Sequence, residues 1–432
     1  MGSRSDRDFR LLVAGQATSQ LGTQVSSIAI PLLAVVSLHA SALQLGLISA
    51  SSTIAFAVIA LPVGAWTDRW PRRPVLVASD VARALLLATI PLAWALGGLR
   101  ITQLLVVALA AGFARVFFDI GYQSYIPTVV GAGGVLKGNS TMETIRAGGQ
   151  FAGPALGGWL VGLIGAASVV SVQAGTFAVS AASLLAIRAR EPRRVRAEGP
   201  PTRIQIAQGL RFVVHNRILR AMALTSAMGN FAFAIGSSVT VIYLSRSLGM
   251  SAAVIGDVLA AGALAAMAGA AATPRLARRV GSVRVIWLSL VVTTPFGVLT
   301  VLAGHGWAAI VLVVVGMAAG EFGQILYAIT SVSLRQRAVA PELLGRVNAT
   351  MRFLIMGLTP LGAVVGGVLG DAIGARWTLL VSVLVVALSP VPSWRSLRRH
   401  RSVEDVPTWT IDLDAVHDGG AVQREGAVDT SA

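Results

Sequence analysis

Long stretches of the chain carry no charged side chain at all. Leu11 to Thr67 contains no Asp, Glu, Lys or Arg over 57 residues, and further charge-free runs cover Ala147–Ile187 (41 residues), Val285–Gly320 (36) and Ala221–Ser245 (25). As α-helix the first run alone would extend about 85 Å, against a hydrocarbon core about 30 Å thick. Such runs must fold back across a bilayer more than once, so the chain reads as a polytopic, all-α membrane protein. Breaking the runs at glycines, prolines, polar clusters and charges predicts twelve spans. They lie at 11–36, 42–66, 75–97, 101–126, 141–164, 167–187, 218–244, 251–273, 284–303, 307–332, 352–371 and 377–394. Several exceed 20 residues, which tilt absorbs. Arg4, Arg7 and Arg10 precede the first run. That run continues too far for a signal peptide, so the first span is expected to remain in the mature protein.

The arginines give an independent check on the count. With both termini placed in the cytoplasm, 30 of the 35 Lys+Arg fall in cytoplasmic segments, only Arg100, Arg246 and Arg376 fall outside, and Arg83 and Arg115 lie within spans. That asymmetry fits the positive-inside rule, and an odd number of spans would scramble it. The same distribution changes how the net charge of +16 and the pI near 11.6 are read. A basic balance points toward nucleic acid, but here it records membrane orientation, and no nucleic-acid partner is expected. Across 432 residues only 12% are charged, about half the usual share, and mean hydropathy is +0.73.

Composition also excludes chemistries. Lys137 is the single lysine, in Val135-Leu-Lys-Gly-Asn139, so no Gly-Lys-Ser/Thr phosphate loop exists to drive transport by that kind of ATP hydrolysis. The five histidines are scattered and cysteine is absent, which leaves no zinc-ligand spacing and no disulfide. Gly138-Asn-Ser-Thr-Met142 and Gly236-Ser-Ser-Val-Thr240 each lack the second glycine of a nucleophile elbow. Neither an enzyme nor a cofactor is expected.

Midway, Arg188–Arg220 holds nine arginines and Gly199-Pro200-Pro201, a cytoplasmic linker whose second part (Ile204, Ile206, Leu210, Phe212, Val213) suits an amphipathic helix on the membrane surface. It divides the spans into an N-terminal half (1–187) and a C-terminal half (217–394) around a linker at 188–216. The tail, 395–432, has few apolar residues and is expected to be disordered. The halves repeat. At an offset of 209, Asn139-x-Thr-Met142 recurs as Asn348-x-Thr-Met351, Gly153 as Gly362, Gly157-Gly158 as Gly366-Gly367, and Gly165-Ala166 as Gly374-Ala375. At 210, Ser41-Ala42 and Gly46 recur as Ser251-Ala252 and Gly256. Two six-span halves in one orientation suggest parallel repeats with a substrate site near the bilayer midplane.

Between spans 2 and 3 stands Gly64-Ala-Trp-Thr-Asp68-Arg69-Trp-Pro-Arg72-Arg73. A short turn needs close backbone approach at Gly64. Asp68 can answer a helix N-terminus or an arginine, and Arg72 and Arg73 can bind the inner membrane surface. This motif resembles the loop signature of the major facilitator superfamily, Gly-x-x-x-Asp-Arg-x-Gly-Arg-Arg, with Pro71 where that family usually has glycine. The alternative is that these charges merely hold the loop inside. Span 5 carries Gly149-x-x-x-Gly153-Pro154-x-x-Gly157-Gly158, a flat stripe open to another helix, with a proline that can place a bend. Every position is similar to the antiporter motif of exporters in that superfamily. Generic small-residue packing is the competing reading. Arg335-Gln-Arg337-x₃-Pro341-Glu-Leu-Leu-Gly345-Arg346-Val-Asn348, Phe117-Phe118-Asp119 and Asp80-x-x-Arg83 resemble the drug–proton antiporter branch that includes macrolide efflux and enterobactin export proteins. Over residues 8 to about 395 the resemblance implies the superfamily fold of two six-helix parallel repeats.

Charges inside spans are functional candidates by default. Glu321 lies near the middle of span 10 without a partner on its own helix. It is expected either to couple proton entry to export or to be held by an arginine of another span. Arg115 and Asp119, four apart in span 4, meet on one face, as a structural pair or as a proton or substrate site. Asp80 and Arg83 are assigned to the cytoplasmic gate with Gly64, Asp68, Arg69, Arg72 and Arg73. Gln16, Gln20 and Gln24 form one polar stripe on span 1. With Asn230 of span 7 and Tyr327 they are candidates to line the cavity, the stripe's alternative being interhelical hydrogen bonding.

These features together point to a proton-coupled exporter of a hydrophobic or amphiphilic small molecule, in the cell membrane, whose partners are substrate, protons and lipid and which works as a monomer. The alternatives are a siderophore or metabolite permease acting as facilitator or symporter, and a non-transporting sensor or scaffold.

Overall fold

The computed structural model describes residues 3–67, 70–131, 134–189, 191, 202–402 and 405–406, and among them every regular element is a helix. In chain order these are α1 (Ser3–Leu32), α2 (Ala42–Thr67), α3 (Arg72–Ala95), α4 (Ile101–Val130), α5 (Val135–Ile164), α6 (Ala166–Ala186), α7 (Thr202–His215), α8 (Arg217–Ile242), α9 (Ala252–Val280), α10 (Ser282–Thr293), α11 (Gly297–Leu302), α12 (Trp307–Ala338), α13 (Pro341–Gly357), α14 (Thr359–Ile373), α15 (Ala375–Leu388) and α16 (Pro390–Leu397). Among the described residues, eleven segments are long and apolar enough to cross a membrane. The predicted fifth span is not one of them. It is the 30-residue α5, whose first turns carry Lys137, Glu143 and Arg146 and whose remainder is glycine-rich.

Three predicted spans are broken helices. The ninth passes from α10 through a 3₁₀ turn at Thr294–Phe296 into α11, with Pro295 at the break. The eleventh is α13 followed by α14, interrupted at Leu358 ahead of Pro360, and the twelfth is α15 followed by α16 at Ser389–Pro390. Proline withholds an amide and crowds the preceding turn, which accounts for each break.

The chain forms two compact units, Met1–Ala197 with Ala234–Ala261 and Thr359–Thr378, and Glu198–Phe233 with Gly262–Leu358 and Leu379–Ala432. In the first, Leu12, Leu76, Phe118, Tyr125, Ile126, Leu184 and Ile187 form a core where α1, α3, α4 and α6 meet. In the second, Phe212 and Val213 of α7 join Leu219, Met222, Ile286, Leu334, Val347 and Leu397. So part of the apolar face of α7, Phe212 and Val213, packs against protein. Leu210 stays exposed, and Gly209 lets the helix approach α13 so closely that a Cβ there would stand 3.0 Å from the Arg346 carbonyl oxygen. Arg346 Nη1 donates to Gln208 Oε1 at 2.8 Å across the same contact.

In the tail, expected to be disordered from Arg395, the described residues are 395–402 and 405–406, and they are packed on the second unit. Leu397 and Val406 are buried in the core, and the Arg401 carbonyl accepts from Val283 N at 3.1 Å. Its remainder lies outside the described residues.

Equivalent positions of the two sequence halves have equivalent local structure. α1 ends in a π-helical turn at Leu33–Ser37 and α8 in another at Tyr243–Ser247, 210 residues later. His39 (φ 53°) and Gly249 (φ 67°) then take the left-handed conformation at matching places. Gly165 (φ 82°) and Gly374 (φ 84°) make one-residue links from α5 to α6 and from α14 to α15.

Candidate functional site

The span-5 glycines are the best-defined part of the site. A Cβ on Gly149 would lie 3.3 Å from Gln20 Cγ, one on Gly153 would run into Gln24, and one on Gly157 into the Val25 carbonyl. The glutamine stripe of α1 and the glycine stripe of α5 therefore face each other, and the missing side chains are what allow the approach. Gln16, Gln20 and Gln24 are half-buried, and their side-chain amides make no hydrogen bond among the described residues. Pro154 lies within α5, and its carbonyl would stand 2.7 Å from a Cβ on Gly256 of α9.

Gly158, the last of the motif, meets Gly256 itself: a Cβ on Gly158 would be 2.8 Å from Gly256 Cα. The matching contact joins α2 and α14, where a Cβ on Gly46 would be 3.0 Å from Gly367 Cα. Gly46 and Gly256 are repeat partners, as are Gly158 and Gly367, so one sequence repeat generates both contacts. Asp371 adds a lock to the second. Its carboxylate accepts from Ala42 N at 2.8 Å, Leu43 N at 3.3 Å and Ser41 Oγ at 2.8 Å, capping the N-terminus of α2. On the first, Trp159 Nε1 donates to Asp257 Oδ1 at 3.0 Å. Arg246 donates to the Val35 carbonyl at 2.6 Å, tying the two π turns together.

The gate residues divide. Asp68 and Arg69 lie outside the described residues, and Gly64 sits in the last turn of α2. Arg72 and Arg73 are not spread on the membrane surface. Arg72 is buried with Nη1 3.4 Å from Thr128 Oγ1, and Arg73 reaches the C-terminal carbonyls of α6, Leu184 O at 2.8 Å and Leu185 O. A guanidinium at a helix C-terminus satisfies orphan carbonyls and the helix dipole. The backbone amides of both arginines donate to the Glu191 carboxylate, each at 2.7 Å, so a linker residue caps α3. Asp8 receives Arg188 N in a similar way, at 3.2 Å.

Asp80 and Arg83 form an ion pair within α3, 0% and 7% exposed, with the guanidinium between the rings of Phe118 (4.4 Å) and Phe177 (4.2 Å). The pair therefore lies inside the α3–α4–α6 packing and not in the loop. Sequence inspection missed Glu191, Asp371 and the two rings, because each acts across more than thirty residues of chain.

Of the candidate coupling residues, Arg115 Nε is 3.4 Å from Asp119 Oδ2 on an open face of α4. Glu321 is half-buried in α12 with no ion-pair or hydrogen-bond partner among the described residues. α9 passes close beside it: a Cβ on Gly262 would stand 3.3 Å from Glu321 Cγ, and one on Gly269 would stand 2.9 Å from Phe322 O. Asn230 donates to Ser226 O at 2.9 Å on its own helix. Tyr327 is 4% exposed, and its hydroxyl meets Ser226 Oγ and Met222 O (3.3 Å), which makes it a packing residue between α8 and α12.

The sequence model of the Major Facilitator Superfamily matches residues 12–360. The chain belongs to that superfamily. A superfamily member of this kind is a membrane transport protein and not an enzyme. Relatives by sequence include the multidrug efflux pump Tap of Mycolicibacterium fortuitum, 27% identical over 394 residues covering 88% of this chain and 93% of that one. The uncharacterized MFS-type transporter YfiS of Bacillus subtilis is 26% identical over 88% of this chain and 90% of its own. The fold matches a bacterial homolog of the human lysosomal transporter Spinster at a TM-score of 0.75 and 13% identity, covering 93% of this chain and 99% of that one.

Proposed function

We propose that the chain is a secondary active transporter that exports a hydrophobic or amphiphilic small molecule in exchange for protons. Glu321 carries this reading. A carboxyl without a counter-ion inside a span persists at a cost of several kcal/mol if ionised, so its occupancy by a proton is a natural partner of cargo movement. Asp119, half-buried beside Arg115, is a secondary candidate. The intact Gly149–Gly158 motif, seated on α1 and α9, supports exchange as the direction, and so do relatives named multidrug efflux pumps.

Twelve spans in two parallel six-helix repeats, with both termini cytoplasmic, complete the proposal. The matched π turns, matched left-handed residues and repeat-related glycine contacts support the repeats, and the arginine distribution supports the orientation. The gate at Gly64–Arg73 would open and close one end while a single copy carries cargo, with Gln16, Gln20 and Gln24 of α1 and, in the other unit, Asn230 of α8 as candidate polar contacts.

The test is transport in proteoliposomes under an imposed pH gradient, with a panel of lipophilic cationic dyes. Glu321→Gln is expected to abolish gradient-driven accumulation while sparing dye exchange down its own gradient. Gradient-driven uptake unchanged in the variant ends the coupling role. Absence of flux for every dye with wild-type protein counts against export of such molecules.

A further inference from the structure

A cavity of about 390 Å³ opens where the start of α8 meets α16, lined by Arg217, Arg220, Ala221 and Leu224 on one side and by Val391, Pro392, Arg395 and Ser396 on the other. We infer that it binds the phosphate headgroup of an anionic phospholipid, with an acyl chain running down its apolar wall.

Three features carry this. First, the mouth is built from three guanidiniums, and none has a carboxylate partner among the described residues, where the ion pairs are Asp80–Arg83, Arg115–Asp119 and Glu143–Arg146. Neither α8 nor α16 contains a single acidic residue, nor does α7 before them. Second, two of the arginines are anchored by backbone carbonyls. Arg217 donates to the Arg395 carbonyl at 3.5 Å and Arg220 to the Val214 carbonyl at 2.8 Å, and a guanidinium has five N–H donors, so each keeps donors beyond these bonds. The α8 N-terminus itself is already satisfied, because Asn216 Oδ1 accepts from Ile218 N and Leu219 N at 3.0 Å, so the anion's partners are side chains. Third, polarity changes in the direction a lipid requires. Arg217 and Arg220 occupy the first turn of one spanning segment, and Arg395 lies in the last turn of another. One helical turn further into the segment the wall becomes Leu224 (49% exposed), Val391 and Pro392. Trp394, also exposed, sits beside the mouth, as aromatic residues do at the headgroup level. Three basic side chains above an apolar groove at the membrane boundary match an anionic glycerophospholipid in both charge and shape.

The experiment is native mass spectrometry of the full-length protein, offered phosphatidylglycerol or phosphatidylcholine with identical acyl chains. Wild type should retain phosphatidylglycerol and little phosphatidylcholine. Arg217→Gln/Arg220→Gln/Arg395→Gln should weaken phosphatidylglycerol binding by about tenfold or more, while the charge-matched Arg275→Gln/Arg278→Gln/Arg279→Gln should not. Equal loss in both variants, or equal retention of the two lipids by wild type, overturns the proposal. Full displacement of lipid by inorganic phosphate reassigns the site to a free anion and overturns it too. If the triple variant does not yield monodisperse protein, a phosphatidylglycerol with a photoactivatable tail is crosslinked to wild type instead. Adducts are expected at Leu224 and Val391, and adducts without enrichment there overturn the site.

Discussion

Gly158 of α5 and Gly256 of α9 touch backbone to backbone: a Cβ on Gly158 would stand 2.8 Å from Gly256 Cα, and one on Gly256 would stand 3.0 Å from Gly158 Cα. The contact tolerates nothing larger than hydrogen. Gly158→Ala is expected to destabilise the solubilised protein by about 1–3 kcal/mol, the usual cost of overpacking. Gly46→Ala and Gly367→Ala, at the repeat-related contact, should behave alike. Gly148→Ala and Gly162→Ala, on the same helix as Gly158 but facing open space, should be neutral or slightly stabilising because alanine is the better helix former. Thermal unfolding of the five variants checks the contrast.

Arg83 cannot be removed alone without exposing Asp80 as an uncompensated charge in the α3–α4–α6 packing. Arg83→Leu is expected to cost about 3–5 kcal/mol, whereas Asp80→Leu/Arg83→Leu should recover much of that loss. A double-mutant cycle on folded fraction measures it. Additive single effects would contradict the pairing.

Glu191 caps α3 from a segment that reads as a plain tether. Glu191→Ala removes both acceptors from Arg72 N and Arg73 N and should cost about 0.5–2 kcal/mol, while Glu191→Gln, which keeps one acceptor oxygen, should cost less. Faster amide exchange in the first turn of α3 is the local readout.

Fold and site were legible in the sequence to the extent that they rest on local periodicity. Charge-free runs mark the eleven segments that, among the described residues, are long and apolar enough to cross a membrane, and the repeated glycines mark helix faces that another helix approaches closely. Spacing says nothing, however, about partners distant in the chain. Asp371 meets Ala42 across 329 residues and Glu191 meets Arg72 across 119. No pattern around either acid marks it as a cap. The amphipathic pattern of α7 specifies a helix, but an apolar face fits a membrane surface and a protein surface equally well.

The segment after α16 should come loose in acid. The amides of Arg401 and Ser402 each donate to Asp405 Oδ2 at 2.8 Å and hold that carboxyl below the usual carboxylate range. A depressed folded value means the contribution is present above the unfolded value of about 3.9 and is lost as pH falls through the folded one. Hydrogen exchange at Arg401 and Ser402, corrected for intrinsic rate, should therefore accelerate below about pH 4. Asp405→Asn should show raised exchange at neutral pH and no further acid response.

The Asp371 lock has no twin. Its position in the first repeat is Gly162, which has no side chain to offer a helix end. Where α2 and α14 meet, a carboxylate grips two amides and a hydroxyl; where α5 and α9 meet, one indole reaches one carboxylate. The sequence-equivalent glycines make the same close contact at both places, and the polar groups beside them differ. Parting α2 from α14 breaks three hydrogen bonds to one carboxylate, and parting α5 from α9 breaks one.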